Sequence, residues 1–456
     1  MTTFSADESL HRLVKEALDS GAAQSIAEAN RMFKGFRINL EFDPGAAEDG
    51  DSQAALLTAV ALARRVFLGG VNVCCPAQTR LAVPLRIGET VGEAVVRLGG
   101  ELGRGTADQP LVTIGDSPVR RSDVFHIRTA FGGWRGGILP ADCSISVGQK
   151  NAVALARMLA AALAVNEAFT FVRSGSAAAG RRPLGLSLWR PSPDTDWTLP
   201  AVDEPDLSYL PSRLWLLGLG HLGQAFLWGL GLFRYPDPSG VSLVLQDFDR
   251  ITPATESTSI LTDAALVGQK KARAMAAWAE HRGFTTAIYE RPFDASFTCR
   301  PDEPSVLLCG VDNGLARRAL DRVGFDLVIE AGLGRGHRDY RTMRLHTLPG
   351  PRPASGIWSP SDELEDLQIQ PAYQQLLDDG DLDRCGVTLL AGRAVGAPFV
   401  GAVAACLALS EILRLLHGGR MHEVVDVDLE ALDYRTALPH PHDFGHFNPG
   451  YVRVNE

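Results

Sequence analysis

Residues 213–223 read RLWLLGLGHLG, and the chain continues QAFLWGLGLF to residue 233. An apolar run breaks at Gly218, Gly220 and Gly223 and then turns apolar again. The pattern predicts a buried strand, a tight glycine turn and the first turns of a helix. Gly218 permits the turn, Gly220 lets a ligand approach the backbone, and Gly223 lets the helix pack closely on the sheet. A helix N-terminus placed this way favours an anion. Taken alone, the turn fits a dinucleotide, ATP, or packing with no ligand at all.

Downstream the same alternation repeats. GVSLVLQDFD (240–249) reads as a strand, LVGQKKARAMAAWAEHRG (266–283) as a helix, and PSVLLCGVDN (304–313) as a strand. The helix GLARRALDRVG and the strand DLVIEAGLG (326–334) follow. Strands alternating with helices imply βαβ units, an α/β fold with a doubly wound, Rossmann-like parallel sheet. Ligands in such sheets bind at the carboxyl ends of the strands. Here those ends carry GLGHLG, Asp247-Phe248-Asp249 and Gly310-Val311-Asp312-Asn313. An acidic residue ending the second strand suits ribose hydroxyls.

The order GxGxxG, DxD, VGxxK and a closing DN resembles the ThiF/MoeB family, the ubiquitin-activating-type adenylyltransferases. The register matches without a gap from Asp247 through Lys271. The likeness continues through VGAPFVGAVAACLALSEILRLLHGG (395–419) and HEVVDVDLEALDYRTA (422–437), covering residues 213–437. The resemblance implies that the C-terminal carboxylate of a small ubiquitin-like or sulfur-carrier protein ending in Gly attacks the α-phosphate of MgATP. Gly218, Gly220 and Gly223 would form the ATP turn, and Asp247, with Asp249 beside it, would hold the ribose. Lys271 would neutralise phosphate charge, Asp312 would coordinate Mg2+, and Asn313 and Arg317 would join the nucleotide site. The sequence departs from the family at one place. Thr255 and Thr258 stand where the family has an asparagine and an arginine, so another arginine, such as Arg250 or Arg273, would have to replace the lost cation.

The resemblance also implies transfer of the acyl group to a cysteine thioester and from there to a conjugating-enzyme partner. Cys385, beside Arg384 in GDLDRCGV, is the candidate, with Cys299 a second loop cysteine. Cys309 and Cys406 lie in apolar runs and read as core residues. No paired CxxC motif occurs, so no structural zinc is expected. The tail PHPHDFGHF, with His440, His442 and His446, reads as solvated.

The formal net charge of −10 argues against a general nucleic-acid or anionic-membrane binder, leaving room only for a local basic patch. Seven cysteines in 456 residues are too few for a disulfide scaffold, which points to a reducing, cytoplasmic setting. The N-terminus shows no signal-peptide pattern, and the apolar run 396–416, broken by Glu411, reads as an interior helix. Composition shifts divide the chain into an N-terminal α/β domain (1–190), a linker (191–212) and the ThiF-like domain (213–456), which carries an insertion at about 348–386. A glycine turn, an Ala-rich helix and a closing glutamate occur in both halves, from Gly148 to Glu167 and from Gly396 to Glu411. The first half therefore reads as either a degenerate adenylation-type copy or an unrelated partner-binding module. Three functions remain open from the residues: an adenylating enzyme in a bacterial conjugation or sulfur-carrier pathway, an inactive partner-binding scaffold of the same fold, and an NAD-dependent oxidoreductase.

Overall fold

The computed structural model describes residues 4–115, 122–148, 152–359, 372–373 and 384–454. The chain opens with a helical arm of α1 (Ala6–Ser9), α2 (Lys15–Asp19) and α3 (Ile26–Lys34). Two sheets follow. The first contains β1 (Arg37–Phe42), β2 (Gly70–Cys74), β3 (Glu101–Leu102), β4 (Leu111–Ile114), β5 (His126–Gly132), β6 (Arg135–Pro140) and β7 (Leu184–Ser187). Its helices are α4 (Gly50–Ala63), α5 (Val91–Arg97) and α6 (Ala154–Ser174). Its strand order is β3-β2-β1-β4-β5-β6-β7, parallel through β5, with β6 and β7 antiparallel.

The second half repeats that plan. A short strand β8 (Tyr209–Pro211) leads into β9 (Arg213–Leu217), helix α7 (His221–Leu232) and β10 (Ser242–Gln246). Helices α8 (Pro253–Glu256) and α9 (Lys271–Arg282) precede β11 (Thr285–Tyr289) and β12 (Val306–Cys309). After α10 (Gly314–Arg317) come β13 (Leu327–Leu333) and β14 (Thr342–Leu348). Helices α11 (Ala354–Ile357), α12 (Arg384–Gly392) and α13 (Pro398–Leu416) lead to β15 (His422–Asp428), β16 (Thr436–Pro439) and β17 (Tyr451–Arg453). The order β11-β10-β9-β12-β13-β14-β15-β16 matches the first sheet strand for strand, and β16 is added at the edge. Here too the first five strands are parallel and the rest antiparallel. In both sheets the longest helix, α6 or α13, connects the sixth strand to the seventh.

Those two helices fill the centre. Each is long and apolar enough to cross a membrane, yet both are mostly buried, packing against one another and against α4 and α7. A helix that is apolar on every face belongs in such an interior. Close approach depends on small residues: a Cβ on Gly229 of α7 would lie 2.7 Å from Leu409 and 3.2 Å from Leu155. Trp228 also donates across the halves to Thr58, at 2.9 Å.

Four sequence expectations need amending. The helix read over GLARRALDRVG covers only Gly314–Arg317, because Asn313 caps one turn and the chain then descends in turns to β13. Strand β11, with a largely exposed TTAIY sequence, carries no apolar pattern and was not expected. His440 is buried at 2 % exposure with Nε2 3.3 Å from the Thr347 carbonyl, whereas His442 and His446 are exposed. Cys299 is buried, and burial followed by Glu303 pushes its thiol up to about 11, the opposite of an activated loop cysteine. Cys309 and Cys406 are fully buried.

Candidate nucleotide site

The glycine turn sits between the ends of β9 and β12. Gly218 has φ +83°, in the left-handed region that glycine reaches without strain. A Cβ on Gly223 would come 2.0 Å from the Gly218 carbonyl oxygen, so the turn closes tightly under α7. A Cβ on Gly220 would meet nothing within 4 Å, leaving open space above that residue. Helix α7 begins at His221 with no side-chain cap, so its leading amides are available at this opening. Helix α13 starts close by, also without a side-chain cap. The His221 ring lies against it, where a Cβ on Gly401 would come within 2.4 Å of the ring. Enclosure pushes His221 down to about 4, so its imidazole is neutral at physiological pH.

Asp247 ends up facing the turn itself. Its Oδ2 accepts from the Leu219 amide at 2.7 Å and its Oδ1 from the Asp249 amide at 2.8 Å. Asp249 is half exposed and pairs with Lys271 Nζ at 2.9 Å, at the start of α9. Asp312 is exposed beyond the end of β12. Asn313 accepts from the Ala316 amide at 3.0 Å and caps α10. Arg317 Nε donates to the Val311 carbonyl at 2.9 Å and lies 2.9 Å from Glu330 Oε1. Cys385 falls in the first turn of α12, and its side chain lies outside the described residues.

Thr255 closes a local turn by bonding the Thr252 amide, and Thr258 is buried. Of the arginines considered as replacements, Arg250 bonds the Gly268 carbonyl and Arg273 pairs with Glu290. A different arginine stands beside Thr258. A Cβ on Gly396 would lie 2.9 Å from Thr258 Cγ2, 3.8 Å from Arg12 Cβ and 4.0 Å from His221 Nδ1. The Arg12 amide donates to Ser257 Oγ at 3.1 Å, and one of its terminal guanidinium nitrogens is buried without a hydrogen-bond partner. Burial and then Arg393 lower Arg12 to about 10, which still leaves it charged at neutral pH. The arm is anchored on both sides: Arg393 pairs with Asp7 at 2.6 Å, Lys15 pairs with Asp19, and Asp19 accepts from Tyr373. Sequence spacing could not find Arg12, which lies more than 240 positions from the turn it adjoins.

The strand ends of the first sheet are built differently. Asp43 follows β1 where the glycine turn follows β9, and its Oδ1 accepts from the Gly45 amide at 3.0 Å. A Cβ on Gly115, after β4, would come 2.5 Å from Asp43 Cβ, so a carboxylate side chain fills that crevice.

Two family models match the chain, the BilD N-terminal domain over residues 37–188 and the BilD C-terminal domain over residues 210–419. The chain belongs to the BilD family. The bacterial E1-like protein BilD of Collimonas sp. (strain OK412) is 41% identical over 447 residues, covering 96% of this chain and 95% of that protein. That similarity spans both halves of the chain, which belongs to the broad E1-like family. Among solved structures, E. coli MccB is similar over 54% of this chain and 67% of its own, at 11% identity and a TM-score of 0.35. PaaA is similar over 50% and 64%, at 16% identity and a TM-score of 0.34.

Proposed function

We propose that the second half adenylates the C-terminal carboxylate of a small ubiquitin-like or sulfur-carrier protein ending in glycine. The observation that carries this reading is the opening above Gly220 at the uncapped start of α7. Leading amides facing an open space suit a polyphosphate, and Arg12, whose Cβ lies near Thr258 and His221 around Gly396, would bring a cation to the same neighbourhood. The name carried by the Collimonas relative, bacterial E1-like protein, supports the same reading.

In this reading a partner carboxylate oxygen bonds to the α-phosphorus of ATP, the bond to the β-phosphate bridge breaks, and pyrophosphate leaves. Arg12 takes the place of the arginine missing at Thr258 and faces the charge on the leaving phosphates. Lys271 exchanges its Asp249 partner for phosphate, which frees Asp249 for the ribose. Asp247 keeps the glycine turn in shape through its two backbone bonds. Asp312, exposed beside the turn, is a suitable carboxylate for Mg2+, which would neutralise phosphate charge. Among the described residues no group of three or more His, Cys, Asp and Glu converges. Cys385, at the N-terminal turn of α12, is the proposed acceptor of the acyl group as a thioester. The first half, with Asp43 in its crevice, is a non-binding copy that supports the second.

Pyrophosphate–ATP exchange with candidate glycine-ended partners tests the reading. Exchange that depends on partner and Mg2+, and is lost in Asp312→Ala, is the expected result. ATP binding without exchange for every such partner would favour an inactive scaffold instead, and a bound-nicotinamide fluorescence signal would favour an oxidoreductase.

A further inference from the structure

Beneath the exposed Asp312 lies a buried polar chain that the nucleotide reading leaves unused. Glu330, in the middle of β13, is 1 % exposed. Its Oε1 lies 2.9 Å from Arg317 Nε, and its Oε2 lies 3.2 Å from Nδ1 of His346, its register partner on β14. His346 is itself wedged edge-on against Trp358, with ring centroids 5.2 Å apart. At the other end, Arg317 Nε donates to the Val311 carbonyl at 2.9 Å. The guanidinium lies over Gly332, where a Cβ would be 3.5 and 3.6 Å from its terminal nitrogens.

A carboxylate this deep in a sheet is unfavourable unless it is paired, and an apolar residue would pack there at less expense. Its placement makes sense through what it holds. The Val311 carbonyl belongs to the same rigid peptide plane as the Asp312 amide, so fixing one fixes the other. On the far side of Asp312, the Asn313 cap to the Ala316 amide fixes the chain again. The exposed carboxylate of Asp312 is thus carried by a short segment anchored at both ends. One anchor is backbone-local, while the other runs through Arg317, Glu330 and His346 to the sheet.

We propose that Glu330 is a positioning residue, acting with His346 through Arg317 to set the Val311–Asp312 peptide and so aim the Asp312 carboxylate. Its consequence for Mg2+ rests on the proposed role of Asp312. Residues one shell removed from a metal ligand commonly alter metal affinity about 10–100-fold when replaced. Glu330→Gln keeps the shape and removes the charge that holds the guanidinium. Arg317→Lys keeps the charge but cannot reach carbonyl and carboxylate together, and it sits nearer the surface should the buried variant fold poorly.

Two measurements on the full chain separate the claims. Amide hydrogen exchange over residues 311–317, which needs no nucleotide, should speed up in both variants while far-UV circular dichroism stays unchanged. The Mg2+ concentration for half-maximal ATP binding, followed by calorimetry, should rise about tenfold, with magnesium-free ATP binding unaltered. Unchanged amide exchange in folded Glu330→Gln and Arg317→Lys overturns the positioning role. Faster exchange with an unshifted Mg2+ requirement overturns the link to the metal. Absence of Mg2+-dependent ATP binding in the parent protein sinks the nucleotide reading, leaving the exchange result to judge the anchor.

Discussion

Thr258 stands where the resemblance calls for an arginine, and Arg12 reaches the same spot from the N-terminal arm. One of its terminal nitrogens is buried with no hydrogen-bond partner, so in the proposed site Arg12 has a donor left for a phosphate. Arg12→Ala should lower kcat/KM for pyrophosphate exchange by about 10²–10³-fold, the size seen when one aligned donor is lost from a charged transition state. Its melting temperature should stay near that of the parent, and Arg12→Lys should recover part of the rate; a rate unchanged in Arg12→Ala would remove Arg12 from the site. Histidines at the same junction predict an acid sensitivity. Enclosure depresses both His11 and His221 from an ordinary value of 6.5 to about 4. Their neutral forms are therefore favoured on folding: the contribution is complete above pH 6.5 and declines as the pH falls toward 4. Between pH 6.5 and 5 each should lose about 2 kcal/mol. Denaturant unfolding at pH 7 and pH 5 checks this, and His221→Gln should flatten part of the slope.

Two long helices of similar composition occupy equivalent connections and meet at the centre of the molecule. Their contact tolerates little added volume at Gly229, where a built Cβ is already 2.7 Å from Leu409. Gly229→Val should destabilise by about 1–3 kcal/mol through overpacking and lower the unfolding midpoint by a corresponding amount. A midpoint equal to the parent's would mean that α7 and α13 can slide apart. Elements of this kind are legible in sequence because length and apolar content identify a buried helix. Strand β11 was not legible, and neither was the shortness of α10, whose start alone the sequence marks. The first is held by pairing with β10 despite exposed side chains, and the second by a single Asn cap. Neither cause leaves a periodic trace.

At the scale of the whole molecule, Arg65 of the first half ties it to the second by several buried hydrogen bonds. It is 3 % exposed and donates to the carbonyls of Glu256, Ile260 and Thr262 as well as to Ala61 of α4, just before it. Those carbonyls flank Thr258, so the first half shapes the wall of the proposed nucleotide site. Arg65→Met should cost about 3 kcal/mol, because several buried carbonyls lose a charged donor at once. It should also raise KM for ATP more than it lowers kcat, which steady-state exchange kinetics can resolve. Equal stability and equal KM would show that the halves are joined mainly by α6 and α13.

The sequence by itself determined the second sheet through its alternating strands and helices, the glycine turn through three glycines whose spacing has a steric reason, and the buried helices through their composition. These are local properties, written in the residues that display them. Tertiary structure alone decided that both halves share one strand order, since the first half lacks the glycine signature and keeps only the connectivity. It alone brought Arg12 beside Thr258 and set Glu330 beneath Asp312, because those meetings depend on how separate elements pack. It also gave Asp247 a different first task, holding the turn by two backbone amides. A carboxylate's residue type announces that it will accept hydrogen bonds, but only the fold names the donors.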